Sequence, residues 1–305
     1  MKIAAHVLAY NVNRFLEAVL KNIEPHVDKI YIAHAERPFG YLASSRQTKI
    51  NPTRISDIVA ASTSTKIEIV QGDWLTEEDM RNACLDRAKE EEFDWFIIQD
   101  ADEFYTDATW NQIKEILKTN KSDDLLKTNW YNFWKSPHYV IVDENGGIKE
   151  PNAGFALRCS PEIKFIHKRV SNAKSVRVID CPCYHYGYVL SDEEMTEKLS
   201  TWSHAQEVDA AKWLKYKWKN WTEKTRYLHT TNPMAWPKAI RFPLHQPDFA
   251  EQFAISIQTN EVKLVSDLIG EGLYNLNVNK QKLIKSFKTI VKASLKSMNI
   301  NRKTH

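Results

Sequence analysis

Glycine is scarce in this chain, 8 of 305 residues, which excludes a linker-rich or low-complexity protein. It also leaves no glycine-rich loop of the kind that cradles nucleotide phosphates. No run of about 18 apolar residues occurs, so no segment is expected to cross a membrane as a helix. The N-terminus lacks the charged, apolar and small-residue order of a secretory leader, and residues 3–9 read as a buried strand instead. Cysteine is sparse too. Of Cys84, Cys159, Cys181 and Cys183, the last two share a Cys-Pro-Cys triplet too tight for a relaxed mutual disulfide, so a reduced, cytoplasmic protein is expected. Cys181, Cys183 and His185 cluster, but structural zinc sites pair two knuckles and no second knuckle appears. Acids are missing from the C-terminal stretch. From Asn279 onward there are eight Lys/Arg and no Asp or Glu, so a mildly acidic body, short of balance by five charges, carries a basic tail.

What is present is ordinary for a soluble globular protein: 43% hydrophobic and 27% charged residues, enough for one large core or two modest ones. The first half alternates strand and helix patterns. Ile3 to Ala9, Lys29 to His34, Lys66 to Gln71 and Trp95 to Gln99 read as strands. Phe15, Val19, Leu20 and Ile23 give helical spacing over Asn13 to Ile23. Thr76 is a plausible N-cap, followed by Glu77, Glu78 and Asp79, for a helix reaching about Glu92. Such alternation predicts an α/β fold with a parallel sheet and helices on its faces, and ligands bound beyond the carboxyl ends of strands. From Lys127 the pattern turns to aromatic strands: 127–134, Tyr139 to Val142, Gly154 to Arg158 and Val176 to Asp180, with Asn145-Gly146-Gly147 predicting a hairpin turn. Ser191 with Glu194 forms a capping box that starts a long helix towards Trp221. Prolines at 233, 237, 243 and 247 mark an irregular segment. The expected division is 1–190 for a nucleotide-sugar-binding and catalytic region and 191–305 for a helical acceptor-side extension with a basic amphipathic tail.

The strand from Trp95 delivers Asp100, Asp102 and Glu103 at its carboxyl end. Several anions there are costly without a cation among them, and Mg²⁺ or Mn²⁺ is the oxygen-seeking partner. Such an ion stabilises the charge growing on a departing nucleoside diphosphate.

The run from Arg81-Asn82 through Phe93 to Phe104 resembles the GT-A fold glycosyltransferases, especially family 2-like enzymes, in which an Arg-Asn helix precedes a strand ending in a metal-binding Asp-x-Asp. Leu8 to Asn11 looks like their first strand and its nucleotide-contacting Asn. Ile32 to Gly40, with Glu36, is similar to a Glu-containing turn of family 17-like members. Tyr184 to Tyr188 resembles a late His motif, followed by a helix containing Lys198. The motifs run from residue 3 to about 200. The resemblance implies a Rossmann-like, mixed but mostly parallel sheet. It assigns Tyr10, Asn11 and Glu36 to the nucleotide pocket, Arg81 to the diphosphate or donor sugar, Asp100 to the ribose or sugar, and Asp102, with Asp100 and His185, to the metal. Two departures stand out: Ala33-His34-Ala35 replaces an expected Asp-Asp pair, and His167-Lys168 replaces a His-Glu pair. An inverting transfer needs a carboxylate base, and Glu103, Asp143 and Asp192 are candidates, Glu103 and Asp192 foremost. Simpler roles compete: Asn11 as a helix cap, Arg81 paired with Glu77 or Glu78, and His185 as a core residue.

Between Trp202 and Trp236, Trp213, Tyr216, Trp218, Trp221 and Tyr227 interleave with Lys212, Lys215, Lys217, Lys219 and Lys224. Sugars and bases both stack on such rings. The competing expectation is that Trp213 and Leu214 pack the core and the lysines face solvent. From Lys282 to Met298 a basic amphipathic helix is expected, suited to its own domain or to an anionic membrane surface. The function these features imply is transfer of a hexose, from a UDP-sugar by preference, to a hydroxyl acceptor such as a surface glycan or lipid-linked intermediate. A protein side chain or hydroxylated DNA base is an alternative acceptor, although near-neutral total charge speaks against DNA. The other class is a non-catalytic carbohydrate- or nucleic-acid-binding protein.

Overall fold

The computed structural model describes residues 1–151, 154–201, 204, 207–255, 267–277 and 280. The basic tail from Lys282 to Met298 and Trp202 lie outside the described residues. The chain opens with β1 (Ile3–Leu8), α1 (Asn13–Ile23), β2 (Lys29–His34), the short helices α2 (Ser44–Gln47) and α3 (Ile55–Ala61), β3 (Ile67–Gln71), α4 (Glu77–Glu90) and β4 (Trp95–Ile98). The hydrophobic spacing in the sequence places α1, β2, α4 and β4 to within a residue or two. The α4 start is the one predicted: Thr76 accepts from the Asp79 backbone N–H while the Asp79 side chain takes the Thr76 N–H.

β3, β2, β1 and β4 lie side by side, all parallel. Alternate residues of the strands feed two cores. Ile3, Ala5 and Val7 of β1 and Trp95 and Ile97 of β4 meet α1, whose Phe15, Leu16, Val19, Leu20 and Ile23 are buried. Ala4, Phe96 and Ile98 point to the other face and meet Met80, Cys84, Leu85 and Ala88 of α4. Helices therefore cover both faces, each buried aliphatic side chain contributing about 1.5–3 kcal/mol of transfer free energy.

Beyond β4 follow β5 (Glu103–Phe104), α5 (Asp107–Thr119), β6 (Leu125–Trp134), β7 (Ser136–Val142), β8 (Glu150–Pro151), β9 (Ala156–Arg158), β10 (Phe165–His167), β11 (Val170–Ser171) and β12 (Val176–Tyr188). β9 pairs antiparallel to both β4 and β6, and β7 antiparallel to β6, whereas β12 runs parallel to β6 and antiparallel to β5. The sheet is thus mixed, with a parallel first half. The 145–147 turn forms, closed by the Asp143 carboxylate on the N–H groups of Asn145 and Gly147, with Gly146 at φ +82°. It does not join a simple hairpin: β7 and β8 both pair with β6, at Phe133–Trp134 and at Asn129–Trp130, because β6 is long enough to serve both.

The expected long helix after Ser191 is broken. α6 (Asp192–Thr201) starts at the predicted capping box, but α7 (Ala210–Trp213) begins afresh, with the Asp209 side chain accepting from the Lys212 N–H. It passes into a π-helical turn, Leu214–Lys219. Trp213, Leu214, Lys217 and Trp218 share the buried face. After the 3₁₀ turn Pro233–Ala235, β13 (Lys238–Arg241) adds an antiparallel strand beyond β7. Trp221, Leu228, Trp236 and Phe253 join the same core as α1.

Candidate functional site

The carboxyl ends of β1, β2 and β4 open into a cleft of about 640 Å³, the place where a parallel sheet of this order accepts ligands. After β1 the chain turns sharply at Asn11, φ +56°. Buried Asn51 fixes that turn by accepting the Asn11 N–H at 3.0 Å and donating to the Ala9 and Ala35 carbonyls at 2.7 and 2.8 Å. Tyr10 and Asn11 line the cleft, and burial pushes the Tyr10 hydroxyl up to about 12. Asn11 is not the α1 cap, which falls at Val12.

Asp100 follows β4 and is gripped by two guanidinium groups: Arg81 from α4 at 2.9 Å and Arg169 from the β10–β11 turn at 3.1 Å. Burial raises the Asp100 carboxyl, but Arg81 and Arg169 outweigh it and hold it down at about 2. Arg81 also pairs with Glu77 at 2.9 Å and donates to His6 Nε2 at 3.1 Å. Arg169 reaches this place because Asn82 of α4 exchanges two hydrogen bonds with Phe165 of β10, at 2.9 and 2.8 Å. Its guanidinium donates further to the Gly154 and Ile98 carbonyls and to both oxygens of Glu103.

Asp102 faces a different set. Its Oδ1 lies 3.5 Å from His185 Nε2, and its Oδ2 lies 3.3 Å from Lys198 Nζ. Burial raises the Asp102 carboxyl, and Lys198 and His185 outweigh it, holding it well below the usual range. The orientation of His185 follows from its neighbours. Glu150 can only accept; it receives Trp236 Nε1–H at 2.9 Å and the side-chain amide of Asn132. Asn132 must therefore present its carbonyl oxygen to His185, and His185 Nδ1–H donates to it at 2.5 Å. Trp130 stacks on the imidazole at 4.6 Å. Nε2 is left facing Asp102, carrying a second proton or a lone pair.

Gly187 leaves room there. A Cβ on it would stand 2.7 Å from His185 Nε2 and 2.9 Å from Asp102 Oδ2. An imidazole nitrogen with its other nitrogen committed, a carboxylate and a small cradle between them suit a divalent ion that takes its remaining ligands from water or an anion. Asp100 is paired with Arg81 and Arg169 rather than grouped with Asp102 and His185. Among the described residues no three His, Cys, Asp or Glu side chains are grouped around one position. The anions at this strand end are balanced by Arg81, Arg169 and Lys198, so their burial does not by itself demand a metal.

The sequence-predicted residues thus divide. Tyr10, Asn11, Arg81, Asp100, Asp102 and His185 meet at the cleft. Glu36 is exposed and is not among the lining residues, although its neighbours Ala35 and Arg37 are; its backbone carbonyl accepts from the Asn51 N–H. Glu103 is fully buried against Arg169, Asp192 is tied to Lys135 at 3.3 Å on the far side of the α6 start, and Asp143 closes its turn. None of these three carboxylates lines the cleft. Trp213, Trp218 and Trp221 are core residues, and of that group Trp236 reaches the cleft. Lys217 does not face solvent; it is buried, donating to Asn275 at 2.6 Å and pairing with Glu271 at 3.1 Å. Asn132, Glu150 and Arg169 carried no sequence signal: the first two depend on pairing with and along β6, and Arg169 on the contact of Asn82 with β10. Six Lys/Arg and four carboxylates line the cleft, a balance that favours an anionic ligand.

No protein-family model and no curated protein matches this sequence. Among solved structures, S. aureus TarS 1–349 superposes with a TM-score of 0.38 at 13% identity, covering 72% of this chain and 71% of that one. Glucosyl-3-phosphoglycerate synthase from Mycobacterium tuberculosis, in complex with Mn²⁺, UDP and phosphoglyceric acid, superposes with a TM-score of 0.39 at 11% identity, covering 66% and 78%. At these scores residue roles do not transfer, and this chain's own geometry has to supply them.

Proposed function

We propose that this protein is a GT-A-type glycosyltransferase that moves a hexose from a nucleotide-sugar to a hydroxyl acceptor with the help of Mn²⁺ or Mg²⁺. The observation that carries this reading is the pairing of Asp102 with the fixed Nε2 of His185 above Gly187, in a cleft with an excess of cations. Bound there, a divalent ion would neutralise charge on the diphosphate leaving group. Tyr10 and Asn11 would bound the nucleotide pocket. Arg81 and Arg169 hold Asp100 ionised and fixed, so that it accepts a hydroxyl hydrogen of the ribose or sugar. Lys168 and Lys198 add positive charge along the path of the phosphates. A UDP-sugar is the preferred donor and a surface glycan or lipid-linked intermediate the preferred acceptor; among the described residues no helix is long and apolar enough to cross a membrane.

A second reading has its own support. Each described carboxylate lining the cleft already has a cation: Glu77 and Asp100 with Arg81, Asp102 with Lys198, Glu194 with Arg14. That leaves no unpaired carboxylate among the described lining residues to act as base and favours a non-catalytic nucleotide-sugar- or carbohydrate-binding protein. A thermal-shift screen of nucleotide-sugars, with Mn²⁺ and then chelator, tests both. Metal-dependent stabilisation by one donor, followed by its slow hydrolysis or transfer, supports the enzyme. Stabilisation without turnover supports the binding protein, and no stabilisation by any donor removes both.

A further inference from the structure

Lys198 extends from α6 into the niche between Asp102 and His185. Its Nζ lies 3.3 Å from Asp102 Oδ2 and donates to the Gly187 carbonyl at 2.8 Å. A Cβ on Gly187 would stand 2.9 Å from the same Asp102 Oδ2. The helix that carries it is anchored independently of it. Ser191 and Glu194 cap its start, Arg14 holds Glu194, Lys49 pairs with Glu197 at 2.6 Å, and Arg46 donates to the Ser200 carbonyl at 2.5 Å. Only the lysine side chain, a flexible stem with a point charge, has to move for the contact to break.

We infer that Lys198 is the resident cation of the Asp102–His185 niche and that a divalent ion displaces it from Asp102, releasing the ammonium to an anionic ligand in the cleft. The inference rests on the metal reading given above and adds a coupling to it. An ammonium on one oxygen of Asp102 and a dication on the other would repel each other, so binding of the ion weakens the Lys198 contact. The freed ammonium finds no unclaimed carboxylate among the described residues of the cleft, since Glu77, Asp100 and Glu194 have arginine partners. A phosphate oxygen of an incoming ligand is the partner left to it. Metal and nucleoside diphosphate therefore bind cooperatively, and the metal alone binds weakly because it must expel a cation.

The test is a calorimetric titration of the full chain with Mn²⁺ alone, and again with UDP as the anionic probe. Lys198→Met is expected to bind Mn²⁺ about tenfold more tightly than the wild type, the factor set by one charged hydrogen bond. Lys198→Arg, which keeps the charge, should stay at the wild-type value. UDP should raise Mn²⁺ affinity several-fold in the wild type and less in Lys198→Met. Equal or weaker Mn²⁺ binding by Lys198→Met overturns the displacement while leaving the metal site standing, provided Asp102→Asn abolishes binding. No Mn²⁺ binding by any form overturns the displacement and the metal reading together. A second measurement needs no variant. Acylation of Lys198 in the wild-type protein, followed by peptide mass spectrometry, should speed up several-fold when Mn²⁺ is added, and an unchanged rate overturns the inference.

Discussion

At the scale of single residues, the site is built from groups that have no freedom left. Gly187 is the plainest case. Its backbone is extended strand that alanine adopts, so the cost of Gly187→Ala falls on its neighbours His185 and Asp102, which the new methyl would crowd. The variant should keep its melting temperature within a few degrees yet lose Mn²⁺ binding in calorimetry; tight Mn²⁺ binding by it would place the ion elsewhere. Arg169 is the opposite case. It neutralises Glu103, which is wholly buried, so Arg169→Met leaves a buried charge without a partner and should cost about 3–5 kcal/mol in urea unfolding. Adding Glu103→Gln should recover much of that loss. If Glu103 acted as a base, the double variant would fold well but bind donor without turning it over, and donor affinity measured alongside separates the two.

At the scale of elements, the aromatic and lysine-rich segment 213–221 is a packing device. Trp218 lies between Trp134 at 5.2 Å and Trp213 at 5.9 Å, with the Lys135 ammonium 4.2 Å above its ring. Trp218→Ala should lower stability by about 3–5 kcal/mol and leave the thermal shift produced by donor unchanged; a selective loss of acceptor use at full stability would return it to the binding surface. Lys217, on the same turn, ties the 267–277 helix to this segment through Glu271 and Asn275, which explains a lysine on a tryptophan-lined face. The α4 helix has a similar double duty. Its Arg81 enters the cleft, while Asn82 beside it pins β10 and so aims Arg169. The Arg-Asn dipeptide seen in the sequence thus has one member in the cleft and one that positions Arg169.

For the whole molecule, stability should depend on pH through histidines buried without charge. His229 packs against Trp236 at 4.4 Å, and burial, with His204 adding to it, lowers its pKa to about 4. The unfolded chain takes up a proton near pH 6.5 that the folded one refuses until about 4, so stability is full above that window and falls as pH drops through it. At pH 5 the loss from this one group is about 2 kcal/mol, by the 1.36 kcal/mol carried by each pKa unit. Urea midpoints at pH 7.5 and 5 should therefore differ less in His229→Gln than in the wild type. Equal differences would mean that His229 is solvated. His6, lowered by burial and by Arg81, adds a loss of the same sign in both forms.

The sequence by itself determined the elements with a strong local signal. The apolar period of α1, the Thr76 capping box of α4 and the strand running into Asp100 are written in neighbouring residues, and local hydrogen bonding and burial suffice to read them. Through its resemblance to GT-A glycosyltransferases it also named Arg81, Asp100, Asp102 and His185 as a group, and the four meet at the cleft. What it could not decide was which charge faces which. Arginine and lysine stand beside these carboxylates because Arg169 and Lys198 arrive from segments about 70 and 100 residues further along the chain. Nor could spacing separate Glu103 from Asp102: neighbours in sequence, Glu103 on β5 is buried in the core while Asp102, in the turn before it, lines the cleft. The tautomer of His185 depends on Asn132, Glu150 and Trp236, which meet only when β12 lies beside β6 and the Trp236 turn folds over them. Pairing across the sheet is a long-range event with no local code, and it decided the chemistry of the site.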